Sequence, residues 1–369
     1  MSPTRPHATQ AGYRALSGAG VAVATVLLCV LSTTTAQALP TSPDHERESP
    51  ALQLLRDAVE AARTTPYKGV QFVSRWSERG TSSVLIDVKH RPGHGAVMRI
   101  RGTTSEPAVD MYEPTGVAAA LPSGGLGSHE GELLRLLGQN YEMLVAGTGT
   151  VAGRPCDVIE AHRRDGSVAA RYWLDQEVGL LLRREVLDAQ ERVLRAAAFI
   201  QLQLTKPELT NRPQAAPSPW EHRLGPRQLS QLRERGWPLP RNLPRQLSLF
   251  DARKTTRNGR PVVHLGYSDG LAIVSLFVQQ GQLDASELHG MRRTTVAGHT
   301  VYVRGSVQRR IVWAGPHYVY ALVADAAPRT VRTVVATLPH GSSQSGSEGL
   351  WNRLARGFDR LVSWLNPFG

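Results

Sequence analysis

His264, Ser268 and Asp269 fall within one short stretch, His264-Leu265-Gly266-Tyr267-Ser268-Asp269-Gly270. An imidazole, a hydroxyl and a carboxylate are the parts of an activated-serine hydrolase. The spacing argues against that chemistry. A serine beside its own aspartate and ahead of a glycine is a turn, in which Ser and Asp bond local backbone and Gly takes positive φ. His90 and His94 are four apart, but Pro92 and Gly93 between them forbid the helix that would aim both at one metal. Asp188 and Glu191 read as hairpin residues rather than an acid/base pair. No G-x-S-x-G elbow, H-E-x-x-H, P-loop or G-x-G-x-x-G fingerprint occurs. The sequence therefore predicts no catalytic residue, no metal site and no cofactor, and the reading is of a non-enzyme.

The elements around these residues belong to a chain of 369 residues, long enough for two domains. Its 41% hydrophobic and 20% charged content excludes a polytopic membrane protein and a mostly disordered chain. Residues 1–38 hold Arg5 and Arg14 and no acidic residue, then the apolar run Val21–Leu31, then Ala36-Gln37-Ala38. A basic start, a short apolar core and an A-x-A site predict a secretory signal peptide cleaved after Ala38, and hence an exported, extracytoplasmic protein. Leu28 before Cys29 speaks against a lipoprotein signal. Cleavage would leave Cys156 alone, with no disulfide available and a buried, inert thiol expected. The formal charge of +12 invites a nucleic-acid reading. Export disfavours it, and the charge fits an anionic membrane face or an acidic partner better.

Along the mature chain, Ser49-Pro50 opens a helix carried by Leu52, Leu55, Val59 and Ala62 and closed by Pro66. Strands are expected at 69–76, 83–89 and 97–100, a second helix over 129–144, and a meander of strands at 156–161, 169–175, 179–187 and 193–204. Together these predict an α+β domain over 43–205. The prolines of 206–235 predict a linker, with a helical turn or two at 228–235. A smaller α+β domain over 236–339 follows, with strands at 261–267, 271–278, 300–307, 310–314 and 317–324 and a closing helix at 328–338.

Residues 340–348 form a Gly/Ser linker, and 349–369 are the most patterned segment. Leu350, Trp351, Leu354, Phe358, Leu361, Val362 and Leu365 share one helical face opposite Arg353, Arg356 and Arg360. That pattern predicts an amphipathic helix on a membrane surface, or docked on protein.

Three stretches resemble one family. They are Val151-Ala152-Gly153-Arg154 with Tyr172-Trp173-Leu174-Asp175 and Gly179-Leu180-Leu181-Leu182-Arg183, then Gly236-Trp237-Pro238-Leu239-Pro240-Arg241-Asn242-Leu243-Pro244, then His264 to Val278. In this order they resemble the RseB/MucB proteins, extracytoplasmic negative regulators of envelope-stress sigma factors. The resemblance implies an N-terminal domain shaped like the lipoprotein carrier LolA, with a curved antiparallel sheet over helices and an apolar cavity. It implies a partner, the extracytoplasmic part of a membrane-spanning anti-sigma factor, shielded from proteolysis until a lipid or lipoprotein ligand loosens the grip. Leu55, Val59, Phe72, Leu85, Leu137, Leu182 and Phe199 are the candidate cavity residues. Trp237, Tyr267, Asp269 and Tyr318 are the candidate partner contacts. A lipid or lipoprotein carrier without a signalling partner is the alternative.

Overall fold

The structure is a computed structural model. It describes residues 49–77, 80–101, 109–113, 129–209, 220, 222–257, 259–285, 288, 290–304 and 309–341. By its contacts the chain divides into Met1–Arg47 and Glu48–Gly369, and every described residue lies in the second unit. The expected signal peptide (1–38), most of 102–128, part of the 206–235 linker and the segment 349–369 lie outside the described residues. So do the candidate membrane-face residues Leu350, Trp351, Leu354, Phe358, Leu361 and Leu365.

Helix α1 (Pro50–Thr64) starts where the sequence places it. Ser49 Oγ accepts the Leu52 N–H at 3.2 Å, and Pro50 occupies the first helical position, where its missing donor costs nothing. The first sheet then runs through β1 (Tyr67–Ser77), β2 (Gly80–Arg91), β3 (Gly95–Ile100) and β4 (Val109–Glu113). After α2 (Glu130–Asn140) come β5 (Glu142–Val151), β6 (Arg154–His162), β7 (Val168–Asp175), β8 (Leu181–Leu187) and β9 (Val193–Gln203). The nine strands are antiparallel in the order β4-β3-β2-β1-β9-β8-β7-β6-β5, so β9 returns to pair with β1. Strand alternation turns Tyr67, Ile86, Val88, Tyr172, Leu174 and Phe199 inward, where they pack with Leu55, Ala58 and Ala62 of α1 and Leu137 of α2. Cys156 is buried in this core, and burial pushes its thiol pKa up.

The second sheet holds β10 (His222–Arg223), β11 (Asn242–Leu243), β12 (Leu247–Arg257), β13 (Arg260–Ser268) and β14 (Ile273–Gln280). It continues with β15 (Arg292–Val296), β16 (His299–Arg304), β17 (Arg309–Ala314) and β18 (Tyr318–Asp325). Its order is β10-β12-β13-β14-β18-β17-β16-β15, with β11 on β12. Helix α3 (Pro226–Glu234) precedes β11 and α4 (Pro328–Thr337) closes the domain. The central strands β13, β14 and β18 are near-continuous apolar runs because both faces are covered. Val331, Val334 and Val335 of α4 lie in the cluster on one face, and Trp220, Val262 and Phe277 belong to the cluster on the other.

The α+β class is as read from the sequence, with local corrections. The second helix stops at Asn140, because Tyr141 turns to φ −134°, ψ 144° and the chain enters β5. Residues 222–234, expected to be linker with a helical turn or two, carry β10 and a nine-residue helix opened by the Gly225 N–H donating to Gln228 Oε1. Strands β4, β5, β11, β12 and β15 lie where the sequence pattern predicts none.

Candidate functional site

The two sheets meet through the turn after β13. Ser268 Oγ donates to the Ala272 carbonyl at 2.8 Å and accepts the Gly270 N–H at 2.9 Å. Asp269 Oδ1 accepts the N–H groups of Leu271 and Ala272 at 2.8 and 2.7 Å. The residues that suggest a hydrolase are thus occupied in the local turn, as their spacing predicts. The turn also reaches across. Tyr141 donates its hydroxyl to Asp269 Oδ2 at 2.9 Å, and Asn140 Nδ2 donates to the Asp269 carbonyl at 3.0 Å. Both come from the end of α2, where the helix-to-strand change aims them outward. Gly270 lies at φ +100°, and a Cβ there would sit 2.4 Å from the backbone N and Cα of Leu137. Only glycine allows that approach.

Beside this clasp lies a cavity of about 40 Å³, lined among others by Leu55, Val59, Leu137, Tyr172, Arg184 and Ile273. It has room for about three waters at roughly 10–15 Å³ each. That is far below the roughly 300 Å³ at which pockets for small organic ligands begin. Three of the seven candidate cavity residues, Leu55, Val59 and Leu137, line it. Leu182 and Phe199 are buried in the first core instead. Phe72 and Leu85 are corrected outright: they pair across β1 and β2 on the outer face, where Phe72 is 38% exposed. Their hydrophobicity suggests the cavity, but strand parity with inward Tyr67 and Ile86 sends them the other way.

Two ionic joints tie the sheets together. At one, Arg75 of β1 and Arg195 of β9 both pair with Asp325 of β18. At the other, His129, the residue before α2, sits 3.1 Å from Asp251 of β12, with Arg253 at 2.8 Å from the same carboxylate. Burial pushes the Asp251 carboxyl up. The His129 hydrogen bond and the Arg253 charge override it and leave the pKa at about 2. His264 lies 3.9 Å from this carboxylate and against the rings of Trp220 and Phe277, and burial drives its pKa down to about 4.

The folded state therefore keeps His264 neutral while the unfolded chain takes up a proton near pH 6.5. Stability is expected to be flat above pH 6.5 and to fall by up to about 3 kcal/mol as pH drops from 6.5 to 4. Urea unfolding at pH 7.5, 6, 5 and 4 checks this. His264→Gln should flatten the profile, and an identical slope in the variant would rule the assignment out.

The candidate partner contacts differ in how far they are buried. Tyr267 is fully buried and donates its hydroxyl to the Pro240 carbonyl at 2.7 Å. Trp237 is 9% exposed and packs on Tyr318 with ring centroids 5.3 Å apart. Tyr318 is half-buried, its hydroxyl donating to the Gly236 carbonyl at 3.2 Å. Asp269 holds the first sheet. Aromatic residues in a small domain are first needed for its core, and Tyr267 and Trp237 are used there.

No group of side chains among the described residues could hold a metal ion, and no described helix is long and apolar enough to cross a membrane. Two antiparallel sheets clasped across a small apolar cavity define a two-sheet α+β protein. Residues 50–222 match the family model described as the MucB/RseB N-terminal domain. Among solved structures it is similar to the Pseudomonas aeruginosa MucA/MucB complex, at 20% identity over 80% of this chain and 100% of that one, TM-score 0.48. It is also similar to LprF from Mycobacterium bovis, at 16% identity over 44% of this chain and 98% of that one, TM-score 0.27. A LolA superfamily protein from Nitrosomonas europaea is similar at 10% identity over 77% and 97%, TM-score 0.18. No curated protein matches the chain in sequence.

Proposed function

We propose that this chain is an exported, non-enzymatic binding protein that holds the extracytoplasmic part of a membrane-spanning anti-sigma factor and shields it from proteolysis. The match of residues 50–222 to the MucB/RseB N-terminal domain carries this reading. On it, residues 1–38 direct export, the domain over 43–205 senses the ligand, and 236–339 with its junction meets the partner. Residues 349–369 rest on the membrane surface.

A lipid or lipoprotein ligand relieves the grip. The cavity of about 40 Å³ is too small for an acyl chain, so ligand entry requires the sheets to part at the Asp269 and Asp325 joints. Coupling then follows from differential affinity, the ligand favouring the parted form and the partner the clasped one.

The mature chain is expected to be retained by the immobilised extracytoplasmic segment of the anti-sigma factor encoded beside it, and to protect that segment from its initiating protease. Absence of retention together with a co-purifying lipid would replace this reading with the carrier one.

A further inference from the structure

The charges around the cavity do not balance. Arg63 pairs with Glu130, and Arg75 and Arg195 share Asp325. Asp269 is held by Tyr141 and its own turn. Arg184 pairs with no carboxylate among the described residues. It is 5% exposed and its Nε has no hydrogen-bond partner there, although its guanidinium donates a hydrogen bond to the Tyr172 hydroxyl, with the guanidinium carbon 5.6 Å from that ring's centroid. Strand register puts Arg184, Arg195 and Arg75 on the same inward face of three adjacent strands, β8, β9 and β1. Burial presses the Arg195 pKa well below its usual value, and the neighbouring Arg184 and Arg75 charges press it further.

A guanidinium cannot escape its charge by losing a proton, so a buried one with no carboxylate partner among the described residues carries a desolvation cost that a bound anion would offset. We propose that the cavity between the two sheets is a binding site for one small anion, a halide or a short carboxylate, seated on Arg184. The volume suits it. A chloride or an acetate fits about 40 Å³, whereas an acyl chain does not. The walls are mostly apolar, with Leu55, Val59, Leu137 and Ile273 lowering the local dielectric and strengthening the attraction, and the one carboxylate among the lining residues, Glu130, is paired with Arg63. Bound there, the anion touches the first sheet at Arg184 and abuts Ile273 of the second, so it strengthens the clasp. This inference does not depend on the partner or the lipid signal.

Thermal unfolding of the mature chain at constant ionic strength, with gluconate replaced stepwise by chloride or acetate, tests it. A saturable rise in the midpoint of about 2–4 °C is expected. Arg184→Met should lose the rise and be no less stable than the parent in gluconate. Arg183→Met, which removes a cation stacked over Trp173 at 4.5 Å on the outer face, should keep it. Equal midpoints in all three salts, or an undiminished rise in Arg184→Met, would overturn the proposal. A rise with octanoate but not with chloride or acetate would also overturn it and give the cavity to an amphiphile. Should Arg184→Met fail to fold, chloride-35 line broadening on the parent and on Ile273→Phe decides. Broadening lost when the cavity is filled supports the site, and broadening absent or unchanged refutes it.

Discussion

Gly270→Val is expected to destabilise the chain by about 4 kcal/mol, with Gly270→Ala roughly half to two-thirds as costly. Two separate terms contribute. The backbone sits at φ +100°, where a non-glycine residue costs about 1–3 kcal/mol. A Cβ would also lie 2.4 Å from the Leu137 backbone, which belongs to a helix and cannot retreat as a side-chain tip could. Overpacking of this kind adds about 1–3 kcal/mol. Relief comes only by lifting the turn off α2, which breaks the Asp269 contacts to Asn140 and Tyr141. Urea denaturation gives the magnitude, and amide exchange at 268–272 shows whether the turn lifts before the sheets unfold. A midpoint within experimental error of the parent would mean that the close approach does not exist in solution.

The stretch His264 to Val278, which carries part of the family resemblance, proves to be this clasp and the strands on either side of it. Its turn is legible because Ser, Asp and Gly each have one strong local use. Its role is not legible, because nothing in the turn itself says that Leu137, more than 130 positions earlier, packs against Gly270. The same division runs through the fold. Helix α1 is readable from Ser49, Pro50 and the leucine spacing, and the β6–β9 meander from short polar turns between β-rich runs. Strand β12 escapes the pattern because Asp251, Arg253 and Lys254 break its apolar alternation. Asp251 is there for a reason outside the strand: it meets His129, the residue before α2.

The cavity residues fail by parity rather than by type. Phe72 and Leu85 have the right chemistry and face the wrong way, and only the pairing of β1 with β2 and β9 fixes which face is inward. The arginines carry a signal of the opposite kind. Arg184 in Leu181-Leu182-Arg183-Arg184-Glu185-Val186-Leu187 and Arg195 in Val193-Leu194-Arg195-Ala196-Ala197 occupy inward positions of strands that are otherwise apolar there. A charge at a core-parity position must have a partner or a ligand, so once strand pairing fixes the inward face both residues stand out.

Asp325→Ala is expected to cost about 3–5 kcal/mol, the penalty of breaking a buried ion pair by removing one member. Arg195 is 8% exposed and would keep its charge with no carboxylate opposite, while Arg75, on the neighbouring strand, would add repulsion. Asp325→Asn should recover little, since an amide accepts a hydrogen bond without neutralising either guanidinium. The discriminating variant is the double substitution Asp325→Ala with Arg195→Met. If the cost is that of an orphaned charge, removing both members should restore most of the stability, and the double variant should be more stable than Asp325→Ala alone. If the two single costs simply add, the joint is not a coupled pair. The parting of the sheets proposed for ligand release would then have to be resisted by the Asp269 clasp and the Asp251 cluster alone.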